Sequence, residues 1–93
     1  MPTYILLSTL TLQGVQTLKA NPERLLQVNK DIEELGLTVH HQWATLGEFD
    51  FVSVVEAPDI ETVAKASVSL AARGSVRIQT LPALEVAEFL KNF

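Results

Sequence analysis

The chain contains no cysteine. Disulfides, thiolate nucleophiles and cysteine-based zinc sites are excluded with it. It is also poor in positive charge. Seven Lys and Arg stand against eleven Asp and Glu, for a net charge of −4, and the cations are scattered along the chain. Neutralising a phosphate backbone takes a cluster of cations, so no nucleic-acid partner is expected. An acidic surface is equally unsuited to an anionic membrane. No apolar run approaches the roughly 20 residues that span a bilayer. There is no low-complexity tract and no internal repeat. The first residues, Met1-Pro2-Thr3-Tyr4, lack the basic region of a secretory signal, so the expected location is cytoplasmic. The few glycines do not form a phosphate-cradling loop, and no cofactor is expected.

What is present is a strongly apolar composition, 47% of 93 residues. That length suits one domain, taken as residues 1–93. A chain this small buries a limited share of its surface, and association would add to its stability. Thr3 to Leu10 is rich in β-favouring apolar residues and reads as a strand buried on both faces. Thr11 to Ala20 is ambiguous: Gly14 weakens a helix, while Val15 and Leu18 keep helical spacing. Asn21-Pro22-Glu23 reads as a helix start with Asn21 as cap. Leu25, Val28, Ile32 and Leu35 follow at spacings of three and four, and Gly36 ends the helix.

Leu37 to Leu46 and Phe49 to Ala57 read as two strands joined by a two-residue turn at Gly47-Glu48. Asp59 caps a second helix with a stripe of Ile60, Val63, Ala64, Ser67, Leu70 and Ala71, and Gly74 ends it. Ser75 to Leu81 is a fourth strand. Leu84 to Phe93 reads as a short terminal helix with Val86, Phe89 and Leu90 as its apolar contacts.

The order β-α-β-β-α-β predicts an α+β, ferredoxin-like fold with a four-stranded antiparallel sheet. Right-handed crossovers place both helices on one face, with the fourth strand beside the first, then the third, then the second. A two-residue turn would put Val39, His41, Trp43, Thr45, Asp50, Val52 and Val54 together on the opposite face. An antiparallel sheet with one wet face should alternate cleanly between apolar and polar residues. Here both faces are apolar, and monomers rarely expose so large a patch. The expected cover is a second copy of the chain, in a homodimer or a higher oligomer.

The segment Leu46-Gly47-Glu48-Phe49-Asp50-Phe51, followed by Val54-Val55-Glu56-Ala57-Pro58-Asp59, resembles the GYD-domain family, named for its Gly–aromatic–Asp signature. Phe49 stands where tyrosine is usual. The likeness continues at Gly14, Asn21 to Arg24, Gly74 to Arg77 and Glu85 to Phe89. The resemblance implies a dimeric α/β barrel in which two sheets face each other, and it implies no particular reaction. The same hairpin is similar to the effector-binding domain of Lrp/AsnC regulators, without the DNA-binding part that precedes it there.

Several side chains are candidates for chemistry. His40 and His41 are neighbours on a strand and point to opposite faces, so they do not chelate one metal together, and no metal site is expected. His41, on the cleft face, can act as a base or ligand contact; a hydrogen-bonded interface histidine is the commoner role. Asp50 can accept a proton or orient His41, against the commoner task of binding backbone amides near a turn. Trp43 can stack on a planar ligand or anchor an interface. Tyr4 and Arg77 can supply a phenol and a cation. The catalytic candidates are therefore His41 and Asp50, and the ligand-binding candidates are Trp43, His41, Tyr4 and Arg77.

Three readings of function follow. The first is a homo-oligomeric module, binding a small molecule or associated with stress, with no chemistry of its own. The second is a cofactor-free enzyme of the monooxygenase or isomerase type, with His41 and Asp50 in hydrogen-bond reach. The third is a stand-alone effector-binding domain. They rank in that order, and the balance is against an enzyme.

Overall fold

The computed structural model describes residues 1–93. Its strands are β1 (Thr3–Leu10), β2 (Thr38–Ala44), β3 (Phe51–Glu56) and β4 (Val76–Ala83); its helices are α1 (Leu12–Ala20), α2 (Arg24–Glu34), α3 (Ile60–Ala71) and α4 (Val86–Leu90). The sheet order is β2-β3-β1-β4 with every pair antiparallel. This is the ferredoxin-like arrangement that right-handed crossovers require.

One sheet face carries Tyr4, Leu6, Val39, Val55 and Ile78 toward the helices. Val55 and Val63 are completely enclosed, and Ile32, Leu37, Ala66 and Leu70 close the core around them. Each such aliphatic side chain contributes roughly 1.5–3 kcal/mol by leaving water. α3 lies against β4 and α2 against β2. Ser67 joins the first of these pairs, its hydroxyl 2.7 Å from that of Thr80.

The ambiguous segment after β1 is a helix of its own. Thr11 caps it, accepting from the Gly14 N–H at 3.1 Å and donating to the Gly74 carbonyl at 2.7 Å. Gly14 is buried where α1 crosses the start of β4; a Cβ there would lie 2.0 Å from the Ser75 carbonyl oxygen. Any larger residue would force α1 away from β4.

Other expectations need correction. Asn21 does not cap α2. It ends α1, its N–H bonded to the Thr17 carbonyl, and Pro22-Glu23 turn the chain into α2 without a side-chain cap. The inner stripe of α3 is Val63, Ala66, Ser67 and Leu70; Ile60, Ala64 and Ala71 face outward. A run of small residues carries little periodic signal, so the stripe read from spacing was rotated. The terminal helix covers Val86–Leu90 only, and Val86, Phe89 and Leu90 are exposed rather than packed on the body. Phe89 meets Phe93, with ring centroids 5.1 Å apart.

The β2–β3 connection is longer than a two-residue turn. Ala44 pairs with Phe51 and Gln42 with Ser53, as that turn requires, but Thr45 and Asp50 close a loop over residues 46–49 through the Thr45 N–H and Asp50 carbonyl at 2.8 Å. Further along, β2 bulges at His40, so that Val39 pairs with Val55 and His41 with Val54. A bulge exchanges faces on one strand. Val39 therefore packs in the core instead of on the open face.

Candidate binding surface

The sheet face away from the helices has no cover. Its side chains run in rows across the strands: Trp43, Val52, Leu7 and Gln79 form one, and His41, Val54, Ile5 and Leu81 the next. Alternation along β1 and β3 puts aliphatic residues on this face as well as on the core face, which is why β1 reads as buried on both sides. Trp43 is 51% exposed. The His41 ring stacks on it, with centroids 5.3 Å apart and planes 7° from parallel. The pair is two residues apart on β2, the spacing that brings side chains to one face. The two rings form a stacked aromatic pair on β2, at the sheet edge.

Of the other candidate residues, Tyr4 lies elsewhere. It is buried on the helix side between Val55 and Pro82, with the sheet itself separating it from Trp43 and His41. Arg77 shares the open face but stands on β4, at the far edge from Trp43, beside Thr9, Glu48 and Phe49. His40, freed from the regular ladder by the bulge, places Nε2 3.1 Å from Glu56 Oε1. No three His, Asp or Glu side chains converge as a metal-binding group.

Asp50 has a structural task. Its Oδ2 accepts the Leu10 N–H at 2.8 Å, and its own N–H donates to the Ser8 carbonyl at 2.8 Å. The loop before it joins in, because the Thr45 hydroxyl donates to the Phe49 carbonyl at 2.6 Å. The Gly47-Glu48-Phe49-Asp50 signature thus rivets the β2–β3 hairpin to the end of β1. Gly47 has a φ of +144° with open space around it, so this position demands glycine for its backbone. No hydrogen bond joins Asp50 to His41, as the enzyme reading would have it; the carboxylate is directed at β1.

A second feature escaped sequence reasoning. Between the sheet and helices α1 and α2 lies a cavity of about 110 Å³, mostly apolar, with Ser8, Gln42 and Ser53 in its wall and Arg24 and Arg73 at its rim. Ser8 and Ser53 are the visible trace in the sequence, as hydroxyls within otherwise apolar strands. The arginines belong to helix ends distant in sequence, and no local pattern links them.

No helix is long and apolar enough to cross a membrane. The GYD domain model matches residues 4–92. A protein of Thermus thermophilus, described as "Glutamine synthetase and cystathionine beta-lyase binding protein", is 53% identical over 91 residues, covering 97% of this chain and 96% of that relative. With a match over nearly its whole length, and with the Gly–aromatic–Asp loop riveting its hairpin, the chain belongs to the GYD-domain family.

Proposed function

We propose that this protein is a self-associating binding protein whose partners are metabolic enzymes, of the kind named for its Thermus relative. The observation that carries this reading is the near full-length, 53% identical match to that relative. The match takes in 97% of the chain, and the chain carries two exposed apolar features, the open sheet face and the terminal arm. The arm leaves Leu84, Val86, Leu90 and Phe93 from 59% to 92% exposed. Surfaces of this kind are typical of interaction sites. The chemistry-bearing side chains, by contrast, are dispersed: Tyr4 in the core, Asp50 on a backbone amide, His41 on Trp43, Arg77 at the far edge. A protein-binding role supersedes the small-molecule module as the leading reading, and nothing in this dispersion favours the enzyme.

In this reading the open face takes a second copy of the chain, two sheets stacking about 10 Å apart as packed sheets do. The test mixes the purified protein with glutamine synthetase and with cystathionine β-lyase from the same organism and follows sedimentation velocity. A faster-sedimenting complex with either enzyme, competed by unlabelled protein, is the expected result. Independent sedimentation of both at micromolar concentrations would overturn the assignment.

A further inference from the structure

The protein-binding reading makes no use of the cavity between the sheet and the helices. Three observations bear on it. The first is size and lining. The space is about 110 Å³, walled by Leu6, Leu18, Leu25, Val28, Ile32 and Ile78. An engineered apolar cavity of roughly 150 Å³ holds benzene, so this one suits an apolar body of a few carbons.

The second is a buried polar group in the wall. Ser53 is 4% exposed, and its hydroxyl accepts a long bond of 3.4 Å from the Gln42 amide, which is itself held by Asn29 at 2.8 Å. Ser53 Oγ has its partner in that amide, and the side chain lines the cavity.

The third is charge at the rim. Arg24 opens α2 and Arg73 follows α3. Arg73 is paired with Asp31 at 2.6 Å, and that bond is the main reason the Asp31 carboxyl titrates below its ordinary range. The Arg24 guanidinium makes no hydrogen bond and only adds to the field at Asp31. Two guanidiniums against one carboxylate leave one net positive charge at the mouth of the cavity, in a chain whose net charge is −4.

We infer that this cavity binds a small apolar monocarboxylate, with its hydrocarbon body between α2 and the sheet and its carboxylate at Arg24. A monoanion matches the single uncompensated charge. The hydrocarbon lining excludes a strongly hydrated ligand such as free phosphate. A carboxylic acid of about six carbons meets both conditions.

The test uses hexanoate, with 1-hexanol as the uncharged control, titrated into ¹⁵N-labelled protein and followed by amide chemical shifts. Saturable shifts in the millimolar range at Leu18, Val28 and Ser53 are expected with hexanoate. Arg24→Gln, a surface change, should weaken hexanoate about tenfold, the loss of one charge-assisted bond, and leave hexanol unchanged. Val28→Phe, which fills the space, should abolish both, provided its spectrum retains native dispersion; should it not, Leu25→Phe serves the same purpose from the next turn. The inference is overturned if hexanoate gives no saturable shift. Shifts centred on Trp43 and Leu81 of the open face, or equal binding of acid and alcohol before and after Arg24→Gln, would overturn it as well.

Discussion

Replacing Gly14 with alanine sets two effects against each other, and the structure says which prevails. Alanine is the better helix former by about 1 kcal/mol, and Gly14 lies inside α1. On an exposed helix the change would stabilise the protein by that amount. Here the new Cβ would lie 2.0 Å from the Ser75 carbonyl oxygen and 3.0 Å from its carbon. The obstacle is backbone, and it cannot rotate aside. α1 must retreat from β4 by roughly an ångström, and overpacking of this kind costs about 1–3 kcal/mol. The retreat also strains the bond from the Thr11 N–H to the same Ser75 oxygen, 3.0 Å long, worth about 0.5–1.5 kcal/mol. Loss of packing and part of that bond outweighs the gain in propensity, leaving a net destabilisation of about 1–2 kcal/mol. Urea unfolding followed by circular dichroism measures it as a lower midpoint at unchanged slope. A midpoint equal to or above that of the parent protein would refute the reasoning, because it would show that α1 does not need its contact with Ser75.

Asp50→Ala leaves the Leu10 N–H without its acceptor and should cost about 1.5–3 kcal/mol by the same unfolding measurement, with Asp50→Asn losing less; an unchanged midpoint for the alanine variant would mean that the carboxylate is not the tie. On the proposed self-association through the open face, Trp43→Asp should bring the mass by light scattering down to that of a monomer, since facing sheets would enclose an unpaired carboxylate; an unaltered mass would count against Trp43 at such an interface. Acid should destabilise the fold through Asp31 and Asp59. Both carboxyls titrate below the ordinary 3.8, Asp31 chiefly through its hydrogen bond from Arg73 and Asp59 chiefly through the Thr62 hydroxyl and then the Thr62 amide. The unfolded chain binds protons first, so their contribution is present above about pH 4 and is lost as the pH falls through the folded values. In Asp59→Asn the decline of the urea midpoint below pH 4 should be shallower, and an identical acid limb would remove Asp59 from this account.

The fold was legible because its strongest signals are local. Alternating and continuous apolar runs gave the four strands, the β-α-β-β-α-β order gave the sheet order, and the capping aspartate at Asp59 opens α3 as its position suggested. The errors fall where local signals compete. Asn21-Pro22 suits a helix start and a helix end equally well in composition, and only the Thr11 cap, set by its bonds to Gly74 and Ser75 more than 60 residues away, settles that α1 is separate from α2. The hairpin was misread because Gly-Glu suits a tight turn, whereas the Asp50 carboxylate reaches across to β1, a preference that no pattern within the hairpin can express.

The candidate site was legible in part, and one bulged residue decides how much. In the regular ladder expected from the turn, His40 pairs with Val55 and Val39 lies beside His41 and Trp43. The extra residue at His40 sends Val39 to the core and leaves the register of Trp43 with Val52 untouched. The shared face of His41 and Trp43 was therefore readable, because both lie on the turn side of the bulge, and the facing of residues beyond it was not. Tyr4 shows the complementary limit. On a strand apolar on both sides, periodicity gives no sign of which side faces the helices, and a phenol fits either one; register with Val55, fixed by the whole sheet, puts it inside. The same ambiguity hid the cavity. Ser53 alternates with Val52 and Val54 as a solvent-facing residue would, and only the crossover of the helices makes its side the interior. A polar residue on the inner side of a central strand needs a partner there, and Ser53 finds it across the strands in the Gln42 amide, which Asn29 holds in place from α2; a triad drawn from three elements leaves no trace in any one segment of the sequence.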